Sequence, residues 1–126
     1  MQGLHLTADL HQCACAPQWL TDAELLCKRC VLAVTAAHLQ AVAHVFHAFP
    51  ATAQGPGGVT ATVLLAESHL CVHTWPEQQA VTLDVYVCNF GGDHDAQAHT
   101  LMAALTALFE PGYVERNSLI RGKIVA

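Results

Sequence analysis

Along Val81–Cys88 the chain alternates without a break: Val81, Leu83, Val85 and Val87 fall on one face of an extended strand, Thr82, Asp84, Tyr86 and Cys88 on the other. One face is made to pack and the other carries polar groups. The runs "GVTATVLLA" and "LCVHTW" also read as strands, interrupted near Glu67-Ser68, and "LHLTADLH", "LQAVAHVFHAF" (ending at Pro50) and "YVERNSLI" supply three more. Two segments change to helical spacing. Thr21-x-x-Glu24 predicts a capping box opening a helix through about His38, with Leu26, Cys30, Val34 and Ala37 on one face. In the second, Asp93 is the expected N-cap, Ala98, Leu101, Leu105 and Leu108 the apolar positions, and Pro111-Gly112 the stop. The Pro/Gly-rich stretch Pro50–Gly58 between the halves must be a loop.

The order strand, helix, several strands with short connections, helix, strand predicts an α+β fold: a two-layer α/β sandwich, one antiparallel sheet with helices on one face. Residues 1–126 form a single domain. The polar row on the Val81–Cys88 strand means that the second sheet face meets either water or another subunit.

Composition narrows the partners. Ten acidic residues face five basic ones, and the latter (Lys28, Arg29, Arg116, Arg121, Lys123) form no stripe that would neutralise a phosphate backbone, so nucleic acid is not expected. No stretch approaches the roughly 20 apolar residues of a membrane helix, and the N-terminus lacks a basic region followed by an apolar one, so the expected location is cytoplasmic. Six irregularly spaced cysteines (Cys13, Cys15, Cys27, Cys30, Cys71, Cys88) read as reduced thiols, most of them buried, with Cys27 and Cys30 in the core.

The chemistry concentrates in "AESHLCVHTWPE", Ala66–Glu77. With "LDVYVC" at Leu83–Cys88, this stretch resembles the bacterial and archaeal S-adenosylmethionine decarboxylase proenzymes, whose self-cleavage signature has the form ESH-x-x-x-HTWPE. The likeness extends more weakly to "GLHLTADLHQC", Val45–Phe49 and Gly57–Thr60, covering most of the chain up to Cys88.

The resemblance implies a set of roles. The Glu67-Ser68 peptide bond breaks autocatalytically, giving chains 1–67 and 68–126 and converting Ser68 into a pyruvoyl group, the covalent cofactor that forms a Schiff base with the substrate amine. His73 matches the processing proton acceptor, Thr60 stands where the family has a serine that supports processing, and Cys88 matches the proton donor of turnover. Phe49 matches a residue that stacks on adenine, and Glu77 is the candidate for the ribose hydroxyls. The implied substrate is S-adenosylmethionine, the product feeds spermidine synthesis, and the implied assembly is a homodimer of processed protomers. An intramolecular nucleophile held in near-attack geometry gains on the order of 7–11 kcal/mol, and a strand interruption is where neighbours can impose such geometry.

The chain departs from the family at "QQAVT" after Trp-Pro-Glu, at Cys88-Asn89-Phe90 where Cys-Gly is usual, and in the length of "PATAQGPGG". Relatives that decarboxylate ornithine or arginine are therefore an alternative, with Glu77, Asp84 or Asp93 meeting the distal cation. Two others stand beside it. No metal is expected, yet His69, Cys71 and His73 share a strand face and with Cys88 have the spacing for zinc. A relative that has kept the fold and lost the activity is the third.

Overall fold

A computed structural model describes residues 2–89 and 91–123. The chain runs β1 (Gly3–His11), α1 (Gln18–Thr21), α2 (Ala23–Ala36), β2 (Ala41–Ala48), β3 (Val59–Leu65), β4 (Ser68–Trp75), a 3-10 turn (Pro76–Gln78), β5 (Ala80–Cys88), α3 (Asp95–Phe109) and β6 (Tyr113–Arg121). The described strands form one sheet in the order β2-β3-β4-β5-β1-β6, every neighbour antiparallel.

The alternation predicted from Val81 onward is what divides the sheet. Leu4, Leu6, Ala8 and Leu10 of β1, Val59, Ala61, Val63 and Leu65 of β3, Leu70 and Val72 of β4, and the four apolar residues of β5 are all buried on one face. Helix α2 packs over β2 and β3, and α3 over β1 and β5. The fully buried Leu26, Leu101, Leu105 and Phe109 fill the space between the layers, each side chain removing apolar surface worth about 1.5–3 kcal/mol. The opposite face, with His5, Thr60, His69, His73, Asp84 and Tyr86, has no covering layer among the described residues. Among those residues no helix is long and apolar enough to cross a membrane.

Local details differ from the expectations. Asp22, not Thr21, caps α2: its side chain accepts the Leu25 N–H, 3.0 Å away. Pro17 opens the short α1, which absorbs Thr21, and the Thr21 hydroxyl turns back to the Pro17 carbonyl. Helix α2 stops at Ala36, with His38 at φ 61 turning the chain into β2. At α3 the N-cap position is His94; Asp93 instead accepts the Asp95 N–H in a tight turn. The buried stripe of α3 is Ala98, Leu101, Met102, Leu105, Thr106 and Phe109, which leaves Leu108 half-buried at its margin. Of the two helical cysteines only Cys30 is core; Cys27 is half-exposed with its sulfur 3.5 Å from His44 Nδ1. All six cysteines are free.

Candidate active site

Strands β3 and β4 pair up to Leu65 opposite Ser68, so Ala66 and Glu67 alone make the turn. Glu67 sits at φ 55, in the left-handed region that a residue with a Cβ adopts at a cost. The strained residue is the one whose carbonyl precedes Ser68. The Ser68 hydroxyl accepts a hydrogen bond from the backbone N–H of Cys88, 3.0 Å away at the end of β5. Glu67, Ser68 and Cys88 line one cavity of about 450 Å³, together with His38 and His94.

The other predicted residues lie elsewhere. Thr60 and His73 are cross-strand partners, and the Thr60 hydroxyl lies 3.1 Å from His73 Nδ1. They line a second cavity of about 400 Å³ with Phe49, Trp75 and Glu77. The register that sets this cavity depends on Gly58, where a Cβ would overlap the Thr74 carbonyl oxygen. A step of five positions along β4 separates Ser68 from His73, about 17 Å of extended chain. Five is also an odd step, so strand alternation assigns Ser68 to the helix-packed face and His73 to the open one.

The residues weighed as zinc ligands do not converge either. Cys71 lies 3.4 Å from the Thr62 hydroxyl and His73 bonds Thr60, while His69 Nε2 lies 3.2 Å from Asp84 Oδ1. Asp84 also takes His5 Nε2 at 2.6 Å, and among the described residues His5, His69 and Asp84 are the group whose ligand atoms lie within 4.8 Å of one another. Arg121 Nη1 meets His5 Nδ1 at 3.0 Å; a guanidinium only donates, so His5 Nδ1 is the acceptor and Nε2 carries the proton given to Asp84. The trio is a charge-assisted hydrogen-bond chain on the open face. Glu77, Asp84 and Asp93, the carboxylates considered for a basic substrate, occupy the second cavity, the middle of the sheet and the turn before α3.

Two residues of these cavities had no role assigned from the sequence: His94 lies outside the motif, and Thr74 lies inside HTWPE without a pattern that shows what it bonds. His94 enters the Ser68 cavity because the loop after β5 folds back, placing its Nδ1 3.0 Å from the Cys88 carbonyl oxygen. Thr74, the neighbour of His73, is buried and bonds both the Leu20 carbonyl (2.6 Å) and the Val59 N–H (2.8 Å).

Comparison with known proteins agrees along the length of the chain. The family model described as S-adenosylmethionine decarboxylase matches residues 4–122. An S-adenosylmethionine decarboxylase proenzyme of Hydrogenobaculum sp. is 33% identical over 122 residues, 97% of this chain and 83% of that protein. A second, of Thermoplasma volcanium, is 44% identical over 70 residues, 56% of this chain and 51% of its own. The crystal structure of the adenosylmethionine decarboxylase from Aquifex aeolicus superposes with a TM-score of 0.82 at 30% identity, covering 98% of this chain and 92% of that one.

Proposed function

The chain belongs to the S-adenosylmethionine decarboxylase family, a family of carboxy-lyases, and from that premise we propose that Ser68 cuts its own chain and that the product decarboxylates S-adenosylmethionine. The Ser68 Oγ bonds to the Glu67 carbonyl carbon, the Glu67–Ser68 C–N bond breaks, and the hydroxyl proton ends on the freed amine. Elimination of the Glu67 carboxylate and hydrolysis with loss of ammonia leave a pyruvoyl group at the head of residues 68–126. No oxidant is needed at any step. The pyruvoyl carbonyl supplies an electron sink for an amine substrate that loses carbon dioxide.

The observation that carries this reading is the Glu67–Ser68 turn: a left-handed φ on the residue to be attacked, and a nucleophilic hydroxyl tethered to β5 beside it. The N–H of Cys88 aimed at Ser68 Oγ stabilises negative charge as it develops on that oxygen. The Cys88 thiol, in the same cavity, is the proton donor to the substrate carbon. Phe49 offers a face for adenine in the second cavity and Glu77 a carboxylate for ribose hydroxyls.

Within one protomer His73 is at the wrong end of β4 to serve Ser68, and this separation favours a two-fold dimer. A two-fold axis crossing the open face near the middle of β4 exchanges the strand's two ends and brings His73 and Thr60 of the partner subunit to the Ser68 end of each β4. Cleavage leaves residue 68 as the free end of β4, released from the turn that ties it to β3. The open face suits such a contact: exposed Val45, Leu64, Leu119 and Tyr113 surround the polar centre of His5, His69 and Asp84. The site is then built from both subunits and occurs twice.

Intact-mass analysis tests the cleavage. Fragments 1–67 and 68–126, the second blocked at its N-terminus, are expected. Carbon dioxide release from S-adenosylmethionine, compared with ornithine, arginine and lysine, tests the substrate. A full-length protein that releases none sinks the reading.

A further inference from the structure

Beyond the turn itself, the geometry points to His94 as a positioning residue: its ring clamps the end of β5 and, through the Cys88 backbone, holds the Ser68 hydroxyl in place for cleavage and the Cys88 thiol in place for turnover. The inference rests on the self-cleavage reading above. Its physical basis is the hydrogen bonding of Cys88, Asn89, His94 and Asp95.

A carbonyl oxygen only accepts, so the 3.0 Å contact between His94 Nδ1 and the Cys88 oxygen requires a proton on Nδ1 in every ionisation state of the ring. Asn89 closes the same loop. Its Oδ1 accepts the His94 N–H at 2.9 Å, and its Nδ2 donates to Asp95 Oδ1 at 2.8 Å. A backbone donor on one side and a carboxylate on the other leave a single orientation for the amide. The Asn89 N–H in turn donates to the Gln2 carbonyl, 2.8 Å away.

Strand ends fray, and this one has reason to be tied down. Cys88 pairs with Gly3 in the last rung between β5 and β1, and Ser68 is the first residue of β4 at the same end of the sheet. Cys88 is gripped through its carbonyl by His94 and reaches Ser68 through its N–H. Loosening the first contact moves the second. A shift of about 1 Å at reacting atoms is enough to slow chemistry strongly.

The test compares His94→Ala with His94→Asn. Asn Nδ2 is placed much as imidazole Nδ1 is, one bond from Cγ, and can donate to the Cys88 oxygen, but it offers nothing in place of Nε2. With pulse-labelled precursor, His94→Ala is expected to slow cleavage about tenfold, the scale of one lost hydrogen bond, and in the processed enzyme to lower kcat similarly while KM stays within about twofold. His94→Asn is expected to restore both rates. Wild-type rates in His94→Ala overturn the proposal; so does a His94→Asn protein as slow as His94→Ala, since the imidazole itself is then required. If His94→Ala does not fold, the rates of His94→Asn alone decide. A wild-type precursor that never cuts is a different failure, of the self-cleavage reading itself.

Discussion

The hydroxyl of Ser68 is bonded to the backbone of Cys88 and not to its thiol: the donor is the Cys88 N–H, 3.0 Å from Ser68 Oγ. The two functions assigned to this pair are therefore separable. Ser68→Ala is expected to give an uncut chain without activity. Cys88→Ala keeps the N–H, so cleavage proceeds, while removal of a proton donor lowers kcat by about 100-fold or more. Gel electrophoresis reads the first outcome and carbon dioxide release the second. A Cys88→Ala chain that stays uncut contradicts the division.

Thr60 and His73 form the other proposed pair, 3.1 Å apart, on the open face. Thr60→Ser keeps the hydroxyl and is expected to process normally, whereas Thr60→Val slows cleavage about tenfold, the worth of a hydrogen bond to a reacting base. Subunit mixing decides whether the base acts between the subunits of the proposed dimer. Neither Ser68→Ala nor His73→Ala is expected to be cut alone. Co-expressed, the His73→Ala chain is expected to be cut, because its Ser68 meets an intact His73 of the partner subunit. If the mixture stays uncut, the base works within its own chain.

The strand alternation, the turn at Glu67 and the apolar stripes of both helices were all legible in the sequence, because they follow from periods of 2 and 3.6 and from local turn chemistry. The separation of Ser68 from His73 was legible too, since a step of five along a strand is odd. Reading the motif as one contiguous site hid this. Thr74 and His94 are different. Thr74 takes its partner Leu20 from 54 residues away, and His94 works through a carbonyl in a loop that closes only when Asn89 and Asp95 meet. Neither has a pattern that sequence spacing reveals. Thr21 was assigned the cap that Asp22 provides because Pro17 starts a turn of helix one step earlier than the capping-box signature implied.

Alkaline pH should expose the buried thiols. Burial, with the neighbouring Cys27 second, pushes the Cys30 thiol from its ordinary 9.0 up to about 12; burial and then Cys15 push Cys13 to about 11. Below about pH 9 the thiols are protonated in both folded and unfolded chains, and stability is unaffected. Between about 9 and 12 the unfolded chain releases protons that the folded chain retains, so the unfolded state binds fewer protons and stability falls with rising pH. Urea midpoints are expected to be flat up to about pH 8 and to decline above 9, and Cys30→Ala should make that decline shallower. An equally steep decline in Cys30→Ala would place its origin elsewhere.

Thr74 offers the sharpest test of how the His73 cavity is held. Its hydroxyl donates to the Leu20 carbonyl at 2.6 Å and accepts from the Val59 N–H at 2.8 Å, tying α1, β3 and β4 together beneath that cavity. Thr74→Val is close to isosteric, yet it leaves a buried carbonyl and a buried N–H without their partner. Each of the two unsatisfied groups costs about 1–3 kcal/mol, so a loss of about 2–6 kcal/mol is expected in urea unfolding of the uncut Ser68→Ala chain. Thr74→Ser keeps both bonds and loses only a methyl group, at about 1 kcal/mol. Because β3 begins at Val59 and Thr60 follows it, Thr74→Val is also expected to slow cleavage in a chain that retains Ser68. Similar stabilities for the Val and Ser variants would mean that neither bond contributes to holding this end of the sheet.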